Sequence, residues 1–152
     1  MPPKPLISII TVCYNAQKTI EATIQSVLCQ SYAPIEYIIV DGHSTDQTLA
    51  IIQKYQDKIA LTISEKDLGI YDAMNKGIKR ASGEIIYFLN ADDSFCDTKV
   101  VEDIVAEFKS GDWDLILGLV QPVHDQVDFT APLKNPWRTM FTRKRDIILT
   151  QI

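Results

Sequence analysis

The sequence predicts an α/β fold, a mostly parallel sheet with helices on both faces. Two observations carry that prediction. Apolar, β-branched runs at residues 6–12, 37–40, 59–64, 84–89 and 115–120 alternate with segments in which apolar residues recur at helical spacing. Residues 37–40 and 85–89 are apolar throughout, as strands covered on both faces are. The runs also deliver polar residues onto one edge: Tyr14 and Asn15 after the first, Asp41 after the second, Asp92 and Asp93 after the fourth. In open α/β sheets, ligands gather outside the carboxyl ends of the strands.

Each element has its own warrant. The first strand follows a proline-rich start that cannot extend it far backwards. Ile20, Ile24, Val27 and Leu28 then share one helical face, and Pro34 stops that helix. Asn15 reads either as a cap for this helix or as a ligand contact. After the second strand, Gly42 suits a tight turn, and Ser44 with Gln47 has the form of a capping box for a helix over 45–55. The short third strand leads into Asp67, for which an Asx-type turn before Gly69 is one reading. Ile70, Ala73, Met74, Gly77, Ile78 and Ala81 then make the cleanest amphipathic period in the chain. Gly77 inside that helix implies close packing or ligand approach, and Gly83 reads as its C′ residue. The fourth strand ends in the paired acids, and Asp97 or Thr98 is placed to cap a helix carrying Val100, Val101, Ile104, Val105 and Phe108. A fifth strand completes the pattern. Beyond residue 120, Pro122, Pro132 and Pro136 break it up, and Trp137, Arg138, Phe141, Arg143, Lys144 and Arg145 form a basic, aromatic-containing patch.

Composition narrows the function classes. With 152 residues, 46% of them hydrophobic, the chain can bury one core, and no composition break suggests a second domain. A formal net charge of −5 argues against nucleic acid as the main partner. The three cysteines are widely separated and fit core thiols in a reducing cytosol. The start lacks the apolar core of a signal peptide, and no apolar run approaches the roughly 20 residues of a membrane span. The expectation is therefore a soluble or at most peripheral cytoplasmic protein. Neither G-x-G-x-x-G nor the P-loop motif is present. Phosphates would need another holder, and Asp92 with Asp93 offers one. Adjacent carboxylates repel, and are best tolerated in water or around a cation. The pair is thus either a solvated turn or a divalent-metal site at a cleft.

Four stretches taken together resemble the family 2 glycosyltransferases: Ser8-Ile9-Ile10-Thr11-Val12-Cys13-Tyr14-Asn15, Ile39-Val40-Asp41-Gly42-His43-Ser44-Thr45-Asp46-Gln47-Thr48, Asp67-Leu68-Gly69-Ile70-Tyr71-Asp72-Ala73-Met74-Asn75-Lys76-Gly77-Ile78, and Asn90-Ala91-Asp92-Asp93. The third of these is similar to the branch that builds bacterial exopolysaccharides such as colanic acid. The resemblance spans residues 5–120 and implies a GT-A (Rossmann-like) core over 1–120. Residues 121–152 would then be an incomplete acceptor-side segment or tail. It implies metal-dependent, inverting transfer of a sugar from a UDP- or GDP-sugar to a glycan or lipid-linked acceptor. Thr11, Tyr14, Asn15, Asp41, Asp67 and Asp92 match nucleotide-sugar-binding positions, and Asp93, with Asp92, matches the ligands of Mn²⁺ or Mg²⁺. The same motifs would serve a non-catalytic nucleotide-sugar-binding module. A nucleotidyltransferase is a poorer match, because Cys13-Tyr14-Asn15-Ala16 is not a Gly- and Arg-rich loop.

The chain also departs from the family pattern. Gly42 replaces a second acid that reads the base, Met74 replaces an Arg, and Asn90 replaces the first acid of the metal motif. Lys76, Lys79 and Arg80 are candidate substitutes for the missing cation, or solvated surface. No general base is recognisable; the late candidates are Asp125, Asp128, Asp146 and the lone His124. The C-terminal basic, aromatic-containing patch reads either as peripheral contact with the inner face of a membrane, where lipid-linked acceptors lie, or as a frayed or truncated tail.

Overall fold

The computed structural model describes residues 3–111, 114–117 and 140–143. Along the chain run β1 (Ile7–Cys13), α1 (Ile20–Leu28), β2 (Ile35–Asp41), α2 (Thr48–Gln53), a 3-10 turn (Gln56–Lys58), β3 (Leu61–Ser64), α3 (Ile70–Arg80), β4 (Ile85–Phe88), α4 (Val100–Ser110), β5 (Leu115–Leu117) and β6 (Met140–Arg143). They form one six-stranded sheet in the order β3-β2-β1-β4-β6-β5. The first four strands are parallel, with Ile9 opposite both Tyr37 and Tyr87. The α/β class and the mostly parallel GT-A-like arrangement therefore hold.

The far edge differs from expectation. β6 inserts antiparallel between β4 and β5, so β5 runs in the sense of β4 without touching it in the ladder. The alternation of strands and helices implies a fifth strand in a largely parallel sheet, and does not include the antiparallel β6. Residues 140–143 carry no strand pattern of their own, and their state comes from pairing on both sides, the usual way tertiary context overrides propensity.

Strand side chains alternate between two cores. Ile7, Ile9, Tyr37, Ile39, Ile85 and Tyr87 face α1, α2 and α4, while Ile10, Val12, Ile38, Val40, Ile86 and Phe88 face α3. Each fully buried Ile contributes about 1.5–3 kcal/mol of apolar transfer, so β1, buried at all seven positions, anchors both layers. α3 lies close on it: a Cβ at Gly77 would meet Ile10 Cγ2 at 2.5 Å, so Gly77 serves packing.

Gly83 is not the C′ residue of α3. That helix ends at Ala81 in extended backbone, and Gly83 donates its N–H to Ser8 Oγ at 2.8 Å. A Cβ there would stand 2.6 Å from the Ser8 backbone nitrogen and 2.8 Å from Leu6 O. The glycine lets the chain enter β4 flush against β1.

Beside it, Glu36 latches three segments at the amino edge of the sheet. Its carboxylate accepts from Ser8 Oγ at 2.5 Å, Ser82 N at 2.8 Å and Ser82 Oγ at 2.7 Å. Burial works against its ionisation, but bonds from Ser8, Ser82 and Gly83 outweigh that and hold its carboxyl below the usual glutamate value. A depressed folded-state pKa stabilises above the unfolded value, near 4.3 for glutamate, and the gain disappears as pH falls through the folded value. We expect Glu36→Gln to cost about 1–2 kcal/mol at neutral pH, after allowance for solvent screening. Urea denaturation should show the cost at pH 7 and its loss in acid. An equal penalty at both would refute the assignment.

Candidate functional site

The carboxyl ends of β1 and β2 are stitched together before any ligand is considered. Asn15, in left-handed backbone with φ 49°, donates its N–H to Ser44 Oγ at 2.8 Å and accepts from Thr45 N at 2.9 Å. Ala16 N reaches Thr48 Oγ1 at 2.8 Å, and Gly42 N reaches Cys13 O at 2.8 Å. Asn15 does not cap α1, whose N-cap is Thr19; it ties one loop to the next.

The capping box at Ser44 and Gln47 does not form either. Both the N–H and the hydroxyl of Ser44 go to Asp41, and α2 starts at Thr48, later than expected. Asp41 itself is fully buried. Its carboxylate accepts from Ser44, from Ser64 Oγ at 2.7 Å and from the Cys13 thiol at 3.7 Å. Burial, and then the Asp41 charge, push the Cys13 thiol well above its ordinary value, keeping it protonated. Thr11 is also fully buried, with its hydroxyl 3.1 Å from Tyr37 Oη. Neither Asp41 nor Thr11 is among the residues lining the two clefts on this edge.

Two clefts open on this edge and share Tyr14, which is 63% exposed. The larger, about 490 Å³, lies between the β1 loop, Ile70 and Asn90–Asp92. The smaller, about 380 Å³, is lined by Tyr14, Gly42, His43, Thr45, Lys66 and Asp67. Gly42 explains the shape of the smaller one: a Cβ would lie 2.5 Å from Asp67 Oδ2 and 3.4 Å from Tyr14 Cδ2. The acid missing at position 42 is thus answered by a carboxylate from residue 67, standing in the space its side chain would need. The Asx turn is real, since Asp67 Oδ1 accepts from Gly69 N at 2.9 Å. The two readings of Asp67 are compatible, with one oxygen for the turn and the other beside the cleft.

The paired acids sit on a turn after β4 that Asp93 N closes onto Asn90 O at 3.0 Å. Asp92 is exposed and borders the larger cleft, while Asp93, beside it, is partly buried. Asn90 Oδ1 is buried without a hydrogen-bond partner. An orphaned acceptor next to two carboxylates is an all-oxygen donor set that suits a hard divalent cation. Among the described residues no cluster of three or more His, Cys, Asp or Glu forms a complete metal cage. Mg²⁺ or Mn²⁺ on one or two carboxylates, completed by phosphate oxygens and water, needs none. The residues fit such an ion.

The group that sequence reasoning missed is Thr23. From the buried face of α1 its hydroxyl donates to Asp93 O at 2.8 Å, with Ala91 O at 3.0 Å sharing it. Ser26 Oγ accepts from Phe95 N at 3.2 Å, and Gln30 bridges Asp97 O and Val101 N. A polar stripe within an otherwise apolar helical face was the available signal. Thr23→Val, nearly isosteric, is expected to cost about 1–3 kcal/mol by orphaning those carbonyls. If Asp92 and Asp93 hold a divalent cation, the substitution should also weaken Mn²⁺ binding at that turn. Unchanged affinity at reduced stability would confine Thr23 to the fold.

Lys76 is not a freely solvated side chain; it is 20% exposed and held by Glu65 and Asp72. His124, Asp125, Asp128 and Asp146 lie outside the described residues, as does the basic patch apart from the backbone of 140–143. No helix among the described residues is long and apolar enough to cross a membrane.

Comparison with known proteins adds sequence and structural likeness. The model of the family described as glycosyl transferase family 2 matches residues 8–151. The chain is 42% identical over 100 residues to the Escherichia coli UDP-Glc:alpha-D-GlcNAc-diphosphoundecaprenol beta-1,3-glucosyltransferase WfaP, covering 65% of this chain and 40% of that protein. It superposes on S. aureus TarS 1–349 in complex with UDP-GlcNAc with TM-score 0.77 and 26% identity, over 91% of this chain and 45% of that one. A mannosyltransferase from Pyrobaculum calidifontis, in complex with GDP-Man and Mn²⁺, gives TM-score 0.64 at 25% identity, over 68% and 32%. The chain spans about two fifths of the length of the curated relatives it matches.

Proposed function

The chain belongs to glycosyl transferase family 2, and on that premise we propose that it binds a nucleoside-diphosphate sugar across the two clefts and serves sugar transfer to a glycan or lipid-linked acceptor. The observation that carries this reading is the convergence of Tyr14, Asp67 and Asp92 on two clefts that share the Tyr14 ring. Both volumes fall in the range of about 300–1,000 Å³ usual for small-molecule sites. Tyr14 offers an exposed face for a base to stack on. Asp67 Oδ2 accepts from a base N–H or a ribose hydroxyl. Asp41 and Asn15 fix the loop that carries Gly42 and His43, and Thr11 backs the strand beneath Tyr14.

The diphosphate then lies toward Asn90–Asp93. With Asp67, Asp92 and Asp93 on one edge, an anion enters only if positive charge accompanies it. Asp93 and Asp92 hold Mn²⁺ or Mg²⁺ in this reading, which, when bound, neutralises charge on the departing nucleoside diphosphate. The Mn²⁺ in the mannosyltransferase neighbour supports that choice. Inversion at the anomeric carbon requires a general base, for which the described residues offer no assignment. The lipid-linked substrate in the name of the E. coli relative supports an acceptor at the inner face of a membrane in polysaccharide synthesis.

Calorimetry of the 152-residue chain with UDP and GDP, with and without Mn²⁺, tests the core of this proposal. Metal-dependent binding of one nucleotide is the expected result, and no binding of either would overturn it. Turnover assays with UDP- and GDP-sugars separate an enzyme from a binding module: binding without transfer or donor hydrolysis would favour the module.

A further inference from the structure

We propose that Lys76 is a positioning residue for the nucleoside cleft: it clamps residues 65–69 onto α3 and so sets the Asp67 carboxylate over Gly42. The inference rests on the nucleotide reading of that cleft and adds a residue to it.

The clamp has four contacts. Lys76 Nζ lies 3.1 Å from Glu65 Oε1 and 3.3 Å from Asp72 Oδ2, and donates to Lys66 O at 2.7 Å. Asp72 Oδ2 in turn accepts from Leu68 N at 3.0 Å. One ammonium thus holds the segment directly at two residues and, through Asp72, at a third. Asp67 sits in the middle of these tethered positions. Its Oδ1 is occupied by Gly69 N, which leaves Oδ2 as the oxygen beside Gly42. Gly69 has φ 116°, a left-handed backbone that glycine adopts without strain. The segment therefore passes from β3 to α3 through a glycine hinge, and Lys76 spans that hinge from outside.

An exposed ion pair would mean little, because such pairs contribute almost nothing on average. Here the Lys76 side chain is only 20% exposed and the pairs form a network with a backbone carbonyl. Its removal would also leave Glu65 and Asp72, both within 3.3 Å of the lost ammonium, facing one another uncompensated. Repulsion between these two carboxylates would then act on the segment whose placement defines the cleft. Lys79, one turn further along the helix, shows no such contacts with the segment.

The test is a double-mutant cycle read by nucleotide affinity in the presence of Mn²⁺, using UDP and GDP as probes on the full 152-residue chain. Lys76→Met should raise Kd by about tenfold, the order of one lost charge-assisted hydrogen bond. Lys76→Arg, which keeps the charge, should stay within about threefold of wild type. Asp67→Asn should lose affinity at least as strongly as Lys76→Met. The double variant should bind no more than about twofold more weakly than Asp67→Asn, because coupled residues acting through one contact are not additive. Multiplying effects, wild-type affinity in Lys76→Met, or no rescue by Arg would each overturn the proposal. Should Lys76→Met fail to fold, Glu65→Gln, which removes a single contact at the exposed end, takes its place in the same cycle. A wild-type chain that binds neither nucleotide would refute the underlying cleft reading. Wild-type binding with an inert Lys76→Met would refute the clamp alone.

Discussion

Conversion of both Asp92 and Asp93 to asparagine is expected to abolish the Mn²⁺-dependent part of nucleotide binding and to lower any transfer activity by at least about 100-fold. Asparagine keeps the shape of each side chain, and the turn itself is held by backbone and by Thr23. The melting temperature should consequently move by only a few degrees, about 1 kcal/mol or less of stability. The loss follows from charge: without the carboxylates the all-oxygen site keeps only neutral donors, and a hard cation binds them weakly. The single variants apportion the roles, each with an expected loss of at least about tenfold, the scale on which a metal site responds to its supporting groups. Asp92 borders the cleft and Asp93 is half-buried beside it, so neither is redundant. Metal-dependent affinity that survives in the double variant would reject the assignment and return the pair to a solvated turn.

Asp41→Ala is the second large effect. It removes the acceptor for the Ser44 amide and for the Ser44, Ser64 and Cys13 side chains in a fully buried position. Losing this buried carboxylate, and with it the part-buried bonds to the Ser44 amide and two serine hydroxyls, is expected to cost about 2–3 kcal/mol, measured by urea denaturation. The loop carrying Gly42 and His43 should loosen, with nucleotide affinity lower by at least about tenfold. Asp41→Asn separates the two ways this residue acts. The amide keeps one oxygen for the Ser44 N–H and offers an NH₂ that a rotated serine hydroxyl accepts, so the expected cost is only about 1 kcal/mol. If Asp41 acts through its loop, affinity in Asp41→Asn stays within about threefold of wild type. A collapse of affinity at near-native stability would make the carboxylate a direct ligand contact.

These two sites illustrate what the sequence does and does not expose. β1 to β4 and the helices α1, α3 and α4 are legible because each shows its apolar pattern over enough residues to outweigh local exceptions. The arrival of Tyr14, Asp67 and Asp92 at one edge follows from that order of elements, since every parallel strand ends on the same side. Competition for a hydrogen bond is what hides the rest. Ser44 looks like a cap until Asp41 takes both its donors, and α2 then starts three residues later than its pattern suggests. Gly83 looks like a helix terminator until the backbone of Ser8 is found where its Cβ would be. Thr23 looks like a tolerated polar atom in an apolar stripe, because nothing local reveals that its acceptors lie 68 and 70 residues away. β6 has no intrinsic strand pattern at all; its place is made by the two strands it joins.

The cysteines carry a chemical consequence. Cys29 and Cys96 are exposed, whereas Cys13 is buried behind the β1 loop, with its thiol held protonated. Alkylating reagents and oxidants act on accessible thiolate, so they select the outer two and spare the one at the cleft wall. Neither outer cysteine borders the clefts. A dye or spin label attached by ordinary thiol chemistry would therefore ride on the protein's exterior, leaving the chemistry at the β1 end intact.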